Sequence, residues 1–153
     1  PRPPDPPLGA AAPRGISING HIPEGDGVLM GLLVVEMVAA YGVSLYELVE
    51  DLLKDVGPAF YQRNDLRLSH PVSKERMTDY LLNNAPAEIG GEQVIKILSS
   101  DGVKYILADD SWLLIRPSGT EPVLRVYAEG RSPEMMKALM SYGEQIVMNV
   151  TKP

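Results

Sequence analysis

Gly90–Ala128, GGEQVIKILSSDGVKYILADDSWLLIRPSGTEPVLRVYA, decides the fold. Val94–Leu98, Val103–Ala108, Trp112–Arg116 and Val123–Ala128 are short runs rich in Val, Ile, Leu and Tyr, residues that suit a pleated, half-buried surface. Ser100-Asp101-Gly102 and Asp109-Asp110-Ser111 separate the first three runs and are short enough to make hairpin turns, so the runs form an antiparallel meander. The last connection, Arg116-Pro117-Ser118-Gly119-Thr120-Glu121-Pro122, is longer and has proline on both sides of its turn. With Arg125 it gathers two guanidinium groups, two hydroxyls and a glycine. An Arg can donate two parallel hydrogen bonds to phosphate oxygens, Ser and Thr one each, and Gly lets backbone N–H groups approach an anion. In the strand after the loop, Val123, Arg125 and Tyr127 face one way and Leu124, Val126 and Ala128 the other. Arg125 therefore leaves the helix-covered face and can point back toward the loop. The residues read as a phosphate clamp; the plainer reading makes both arginines surface cations and Ser-Gly-Thr a simple turn.

Working outward, Ser132-Pro133-Glu134 starts a helix with a Ser cap, Pro at its first position and a carboxylate near its positive end. Met136, Leu139, Met140, Ile146, Val147 and Val150 form its apolar stripe. Ser73–Asn84 is a shorter Ser-capped helix, and Phe60–Leu68 alternates like an exposed strand. These elements predict an α+β domain: a two-layer antiparallel sheet of four to five strands with helices on one face. Before Gly57-Pro58 the pattern changes. Val28–Ala40 is apolar nearly all round and wants partners on every side. Gly42 ends it, and Ser44-x-x-Glu47 caps a second helix to Asp55 with Leu45, Leu48, Val49, Leu52 and Leu53 on one face. Pro1–Arg14 carries six prolines in its first thirteen residues and reads as an extended, mobile leader. The expected segments are residues 1–14, 15–56 and 57–153.

The chain has 153 residues, 44% hydrophobic and 22% charged, enough for one ordinary domain and part of another. Its formal net charge of -6 opposes broad binding to nucleic acid or to an acidic membrane, so the arginine loop is a local site. With no cysteine there is no disulfide, thiolate nucleophile or Cys-based zinc site. No signal peptide or membrane span is legible, and a cytoplasmic location is the default.

Arg116 through Gly130, RPSGTEPVLRVYAEG, closely resembles the C-terminal phosphate-binding motif of the alpha-D-phosphohexomutases, the phosphoglucomutase and phosphomannomutase family. Asp101-Gly-Val-Lys104 and Asp110-Ser-Trp-Leu-Leu-Ile115 resemble the strands before that motif, and Gly15–Gly27 is similar to the family's third domain just after its sugar-recognition loop. The resemblance covers nearly everything from Gly15 onward. It implies that residues 15–56 are the end of domain 3 and residues 57–153 a TATA-binding-protein-like domain 4. It further implies that Arg116, Ser118, Gly119, Thr120 and Arg125 hold the phosphate of a hexose phosphate that is not being transferred, while a phosphoserine loop and a magnesium loop elsewhere do the chemistry. Neither of those loops is legible in this chain, and Ala11-Ala-Pro-Arg14 stands where the sugar loop would be. The chain is therefore expected to bind without catalysing, with no catalytic residue, metal ligand or cofactor of its own and magnesium belonging to the full-length enzyme.

The expected partners are glucose or mannose phosphate, or inorganic phosphate, and the remaining mutase domains, with a homodimer through the domain 3 helices as a further option. Pro117 and Val126-Tyr-Ala-Glu129 lean toward the glucose and mannose enzymes. The alternative is a stand-alone, non-catalytic phosphate- or partner-binding module; nucleic-acid binding through the sheet is opposed by the net charge. Glu121 reads as a group that orients the arginines or a turn N–H, since it would repel an anion. The histidines, His21 and His70, each stand near a proline and read as solvated loop residues. Glu24 and Asp26 suggest a carboxylate pair, but Asp26 is better read as a helix cap. Asp109-Asp110 reads as turn chemistry, and Glu47, Glu50 and Asp51 as a solvated helix face.

Overall fold

A computed structural model of the chain describes residues 8–11, 15–18, 26–68, 73–118 and 121–150. The chain divides into two compact units, Pro1–Asp55 and Val56–Pro153.

In the first unit, strands β1 (Leu8–Ala11) and β2 (Gly15–Ile18) pair antiparallel, with Leu8 opposite Ile18 and Ala11 opposite Gly15. Residues 8–11, read from the sequence as part of an extended, mobile leader, form a paired strand. Leu8–Ala12 is the stretch between the leader's prolines, so its N–H groups remain free to join a ladder. Helix α1 (Gly27–Tyr41) begins where Asp26 Oδ1 accepts from the Val28 and Leu29 amides, both at 3.0 Å, and ends at Gly42 with φ +68°. Helix α2 (Leu45–Val56) opens with a reciprocal capping box: Glu47 accepts from the Ser44 amide at 2.8 Å and Ser44 Oγ from the Glu47 amide at 3.3 Å. The Ser44 hydroxyl also donates to Glu47 Oε2 at 2.7 Å, and this bond first, with the Ser44 amide second, lowers the Glu47 pKa below its ordinary value. Neither helix has a buried residue, and Val28, Leu32 and Val35 of α1 are 76%, 62% and 66% exposed.

The second unit holds β3 (Phe60–Arg67), α3 (Lys74–Asn83), β4 (Glu88–Ile89), β5 (Glu92–Leu98), β6 (Val103–Leu107), β7 (Trp112–Pro117), β8 (Val123–Gly130) and α4 (Pro133–Val150). The sheet has six strands in the order β3-β8-β7-β6-β5-β4, every neighbouring pair antiparallel. The meander is the one expected from the hairpin turns. The expected exposed strand β3 makes five, and the two-residue β4 raises the sheet to six. β3 runs beside β8, from Phe60 opposite Gly130 to Arg67 opposite Val123, and the two-residue β4 closes the other edge.

Alternation sets the core. Val103, Tyr105 and Leu107, Leu113 and Ile115, and Leu124, Val126 and Ala128 are buried beneath Met77 and Leu81 of α3 and Met135, Leu139, Met140, Ile146 and Val147 of α4. Each fully buried aliphatic side chain contributes about 1.5–3 kcal/mol relative to exposure. Tyr105 spends its hydroxyl on the Leu81 carbonyl at 2.7 Å, which ties the last turn of α3 to the sheet. Burial raises its phenol pKa.

The tightest approach is at the turn before β6. Gly102 has φ +88°, and a Cβ placed there would lie 2.5 Å from the Ile115 carbonyl oxygen and 3.0 Å from Arg116 Cα. Only glycine satisfies both the backbone angle and the contact. Gly102→Ala is expected to lower stability by about 3 kcal/mol, combining strained φ with overpacking; a urea midpoint matching the parent's would contradict that account. Because the buried core cluster lies wholly within the second unit, residues 56–153 expressed alone are expected to unfold in one cooperative thermal transition. A non-cooperative melt would show that this core is insufficient.

Candidate functional site

Arg116 and Arg125 are directly opposite each other across β7 and β8, in register with Leu114 opposite Tyr127 and Trp112 opposite Glu129. Both arginines stand on the face that the helices leave uncovered, because their neighbours Ile115, Leu124 and Val126 are buried on the other. The mouth of the loop between them is held by backbone hydrogen bonds. The Ser118 amide donates to the Val123 carbonyl at 2.8 Å and the Val123 amide to the Glu121 carbonyl at 2.7 Å. From β3's end, the Leu68 amide donates to the Pro122 carbonyl at 2.8 Å.

Like charges directly opposite on one sheet face repel, and here each arginine has a carboxylate near its Nε. Asp101 Oδ2 is 3.2 Å from Arg116 Nε, and its Oδ1 is 3.6 Å from Lys74 Nζ. Asp65 Oδ2 is 3.8 Å from Arg125 Nε. Asp65 also takes two hydrogen bonds from Arg63, from Nε and Nη2, both at 2.7 Å. That fork lowers the Asp65 pKa below its ordinary value, with its small burial opposing. The Arg63 guanidinium in turn lies over the Tyr127 ring, 5.3 Å from its centroid. Tyr127 is only 3% exposed although it is on the open face. Two buried polar atoms, Arg125 Nε and Tyr127 Oη, have no hydrogen-bond partner among the described residues.

A cleft of about 430 Å³ opens beside Arg116, lined by Ser73, Lys74 and Glu75 at the start of α3, Asp101 at the hairpin tip, and Arg116, Pro117 and Ser118; Arg125 does not line it. Two fixed guanidinium groups at the mouth of a hairpin can neutralise a dianion and orient it. Of the expected site residues, the structure brings together Arg116, Ser118 and Arg125. Gly119 and Thr120 lie outside the described residues, as do His21, Glu24 and His70. Asp26 is the α1 cap. Asp109 accepts from the Ser111 amide at 2.9 Å and its hydroxyl at 2.8 Å, so it is turn chemistry. Among the described residues no three His, Asp or Glu side chains gather as a metal site, and the carboxylates that reach the two arginines are Asp101 and Asp65 rather than Glu121. Asp101 was visible in sequence as a turn residue and as part of the Asp101–Lys104 resemblance, but not as a partner of Arg116. Asp65 carried no signal, because its place depends on the β3–β8 register.

Two family models match the chain. Residues 74–142 match the C-terminal domain of phosphoglucomutase/phosphomannomutase, and residues 11–56 match alpha/beta/alpha domain III of the same family. The chain is 32% identical over 124 residues to a phosphoglucosamine mutase of Methanocaldococcus jannaschii, covering 80% of this chain and 25% of that protein. It is 34% identical over 127 residues to a phosphoglucosamine mutase of Methanococcus aeolicus, with the same coverage of 80% and 25%. To a phosphoglucomutase/phosphomannomutase of Thermococcus kodakarensis it is 30% identical over 127 residues, covering 83% of this chain and 25% of the relative. The crystal structure of a phosphoglucomutase/phosphomannomutase family protein from Burkholderia thailandensis superposes with a TM-score of 0.61 at 18% identity, covering 88% of this chain and 26% of that one. The chain thus spans about a quarter of the length of the relatives it matches. No single helix among the described residues is long and apolar enough to cross a membrane. With domain III matched upstream of the C-terminal domain and the fold shared with a solved member, the chain belongs to the phosphoglucomutase/phosphomannomutase family and carries its C-terminal part, the end of domain III followed by domain IV.

Proposed function

We propose that this chain holds the non-transferred phosphate of a hexose phosphate while the phosphoryl group at the other end of the sugar is exchanged elsewhere in the longer protein. The observation that carries the reading is the cross-strand pair Arg116–Arg125 at the mouth of the Ser118–Pro122 loop. Arg116, Ser118 and Arg125, joined by Gly119 and Thr120, are the phosphate ligands in this reading. Their work is binding and orientation: fixing one phosphate decides which end of the sugar meets the phosphoryl donor, and phosphoryl transfer depends chiefly on positioning and charge neutralisation.

Magnesium, which the family resemblance implies, belongs in this reading to residues outside the chain, and no step is assigned to it here. The longer protein is an intramolecular phosphotransferase acting in the cytoplasm, and its remaining domains are this chain's partners. The apolar, exposed surfaces of α1 and α2 are the surfaces that those domains, or a second copy of the chain, would cover. The sugar is a hexose phosphate. Pro117 and Val126–Glu129 lean toward glucose and mannose, whereas several relatives are named phosphoglucosamine mutases, so all three sugars belong in the test.

Titration of the 15N-labelled chain with inorganic phosphate and with the 6-phosphates of glucose, mannose and glucosamine is expected to shift the amides of Ser118–Arg125. Affinity should be near millimolar, because a single clamp leaves most of the ligand in water. Shifts confined to other parts of the chain would overturn the reading. Arg125→Lys should weaken phosphate binding by about tenfold, since an ammonium cannot reproduce a bidentate fork; unchanged affinity would exclude Arg125 as a ligand. In a mutase assay with glucose 1-phosphate and a bisphosphate primer, the chain alone is expected to show no turnover, and turnover above background would overturn its role as a pure binding part.

A further inference from the structure

We infer that Asp101 and Asp65 are paired positioning residues of the phosphate clamp, ion-paired with Arg116 and Arg125 on their Nε sides so that the terminal nitrogens of both guanidinium groups are left for the anion. The inference rests on the phosphate-binding reading and adds residues to it. Its first support is geometric repetition. The carboxylates come from different elements, the β5–β6 turn and β3, yet each places its Oδ2 nearest the Nε of one arginine, at 3.2 Å for Asp101 and 3.8 Å for Asp65. A guanidinium held along that edge keeps terminal N–H groups for a second acceptor.

The second support is electrostatic. Arg116 and Arg125 are directly opposed, and without counter-charges their repulsion would splay the two side chains apart. Asp101 and Asp65 offset that repulsion in the empty site, so the arginines wait together and a dianion meets a pre-organised pair. Third, both carboxylates are themselves anchored. Asp65 is gripped by the two hydrogen bonds from Arg63, and Arg63 by the Tyr127 ring beneath it. Asp101 is bracketed by Lys74 at the start of α3 and directly precedes Gly102, whose contact with the Arg116 backbone fixes where the turn sits. The two anchors differ in strength. The Asp65 fork is bidentate and short, whereas Asp101 is 59% exposed and its pair with Lys74 is long. Asp101 is therefore the carboxylate whose substitution perturbs the fold least.

A negative charge near an anion site both orients the arginine and repels the ligand, and the test separates the two effects. Asp101→Asn and Asp101→Ala remove the same charge, but only Asn keeps an oxygen beside Arg116 Nε. The positioning role predicts that phosphate, titrated into the complete chain and followed by NMR, binds the Asn variant about tenfold more tightly than the Ala variant. It also predicts that the Arg116 Nε–H signal is resolved in the Asn variant and broadened in the Ala variant. Equal affinities for the two variants would overturn the positioning role while leaving the clamp standing. At Asp65, whose contact with Arg125 is an ion pair without a hydrogen bond, Asp65→Asn and Asp65→Ala are both expected to broaden the Arg125 side-chain signals, and sharp signals in both would overturn its role. If the parent chain shows no phosphate shifts at Ser118–Arg125, the phosphate-binding reading itself has failed, and the positioning role falls with it.

Discussion

Two arginines placed directly across from each other on one face of a sheet are the constraint around which the second unit is arranged. Such a pair is unfavourable by itself, and it is held by the register of β7 against β8. That register follows from the hairpin turns and from the burial of Ile115, Leu124 and Val126 on the opposite face. A slip of one residue would carry Arg116 or Arg125 into the core beneath α4, where an unpaired guanidinium costs far more than the slip could regain. The apolar half of the meander thus enforces the position of the polar half.

The acidic balance of the chain gives this pair its local meaning. With a formal net charge of -6, the chain repels extended polyanions, while the clamp offers a small patch in which four cations are interspersed with two carboxylates: Arg63, Asp65, Arg125, Arg116, Asp101 and Lys74. Exposed ion pairs of this kind add little to stability, commonly 0–1 kcal/mol each. Their worth lies in keeping the guanidinium groups oriented before a ligand arrives. Tyr127 extends the patch inward by giving Arg63 an aromatic surface.

Most of the fold was legible because it rests on local chemistry. Alternating Val, Ile and Leu marked β5 to β8. Ser44, Ser73, Asp26 and Gly42 marked helix ends through caps that the structure forms at those residues. What was missed depends on pairing between distant segments. β3 could be read as a strand, but not as the neighbour of β8. Without that register, Asp65 was one more charge on an exposed strand, and Arg63 and Tyr127 were strangers. Asp101 looked like a turn residue because that is also what it is. Leu8–Ala11 escaped notice because the prolines around it dominated the composition, although a strand needs only its own amides free. Within the site, Arg116, Ser118 and Arg125 were legible from a motif, whereas the carboxylates behind the arginines required three-dimensional contact.

The central claim is that the Arg116–Arg125 pair receives a phosphate dianion, and a crystal structure of the chain grown with glucose 6-phosphate tests it most directly. The account predicts the phosphorus between the two guanidinium groups and against Ser118, with Asp101 and Asp65 still at the Nε edges. A phosphate bound elsewhere, with both arginines turned away to separate partners, would contradict it.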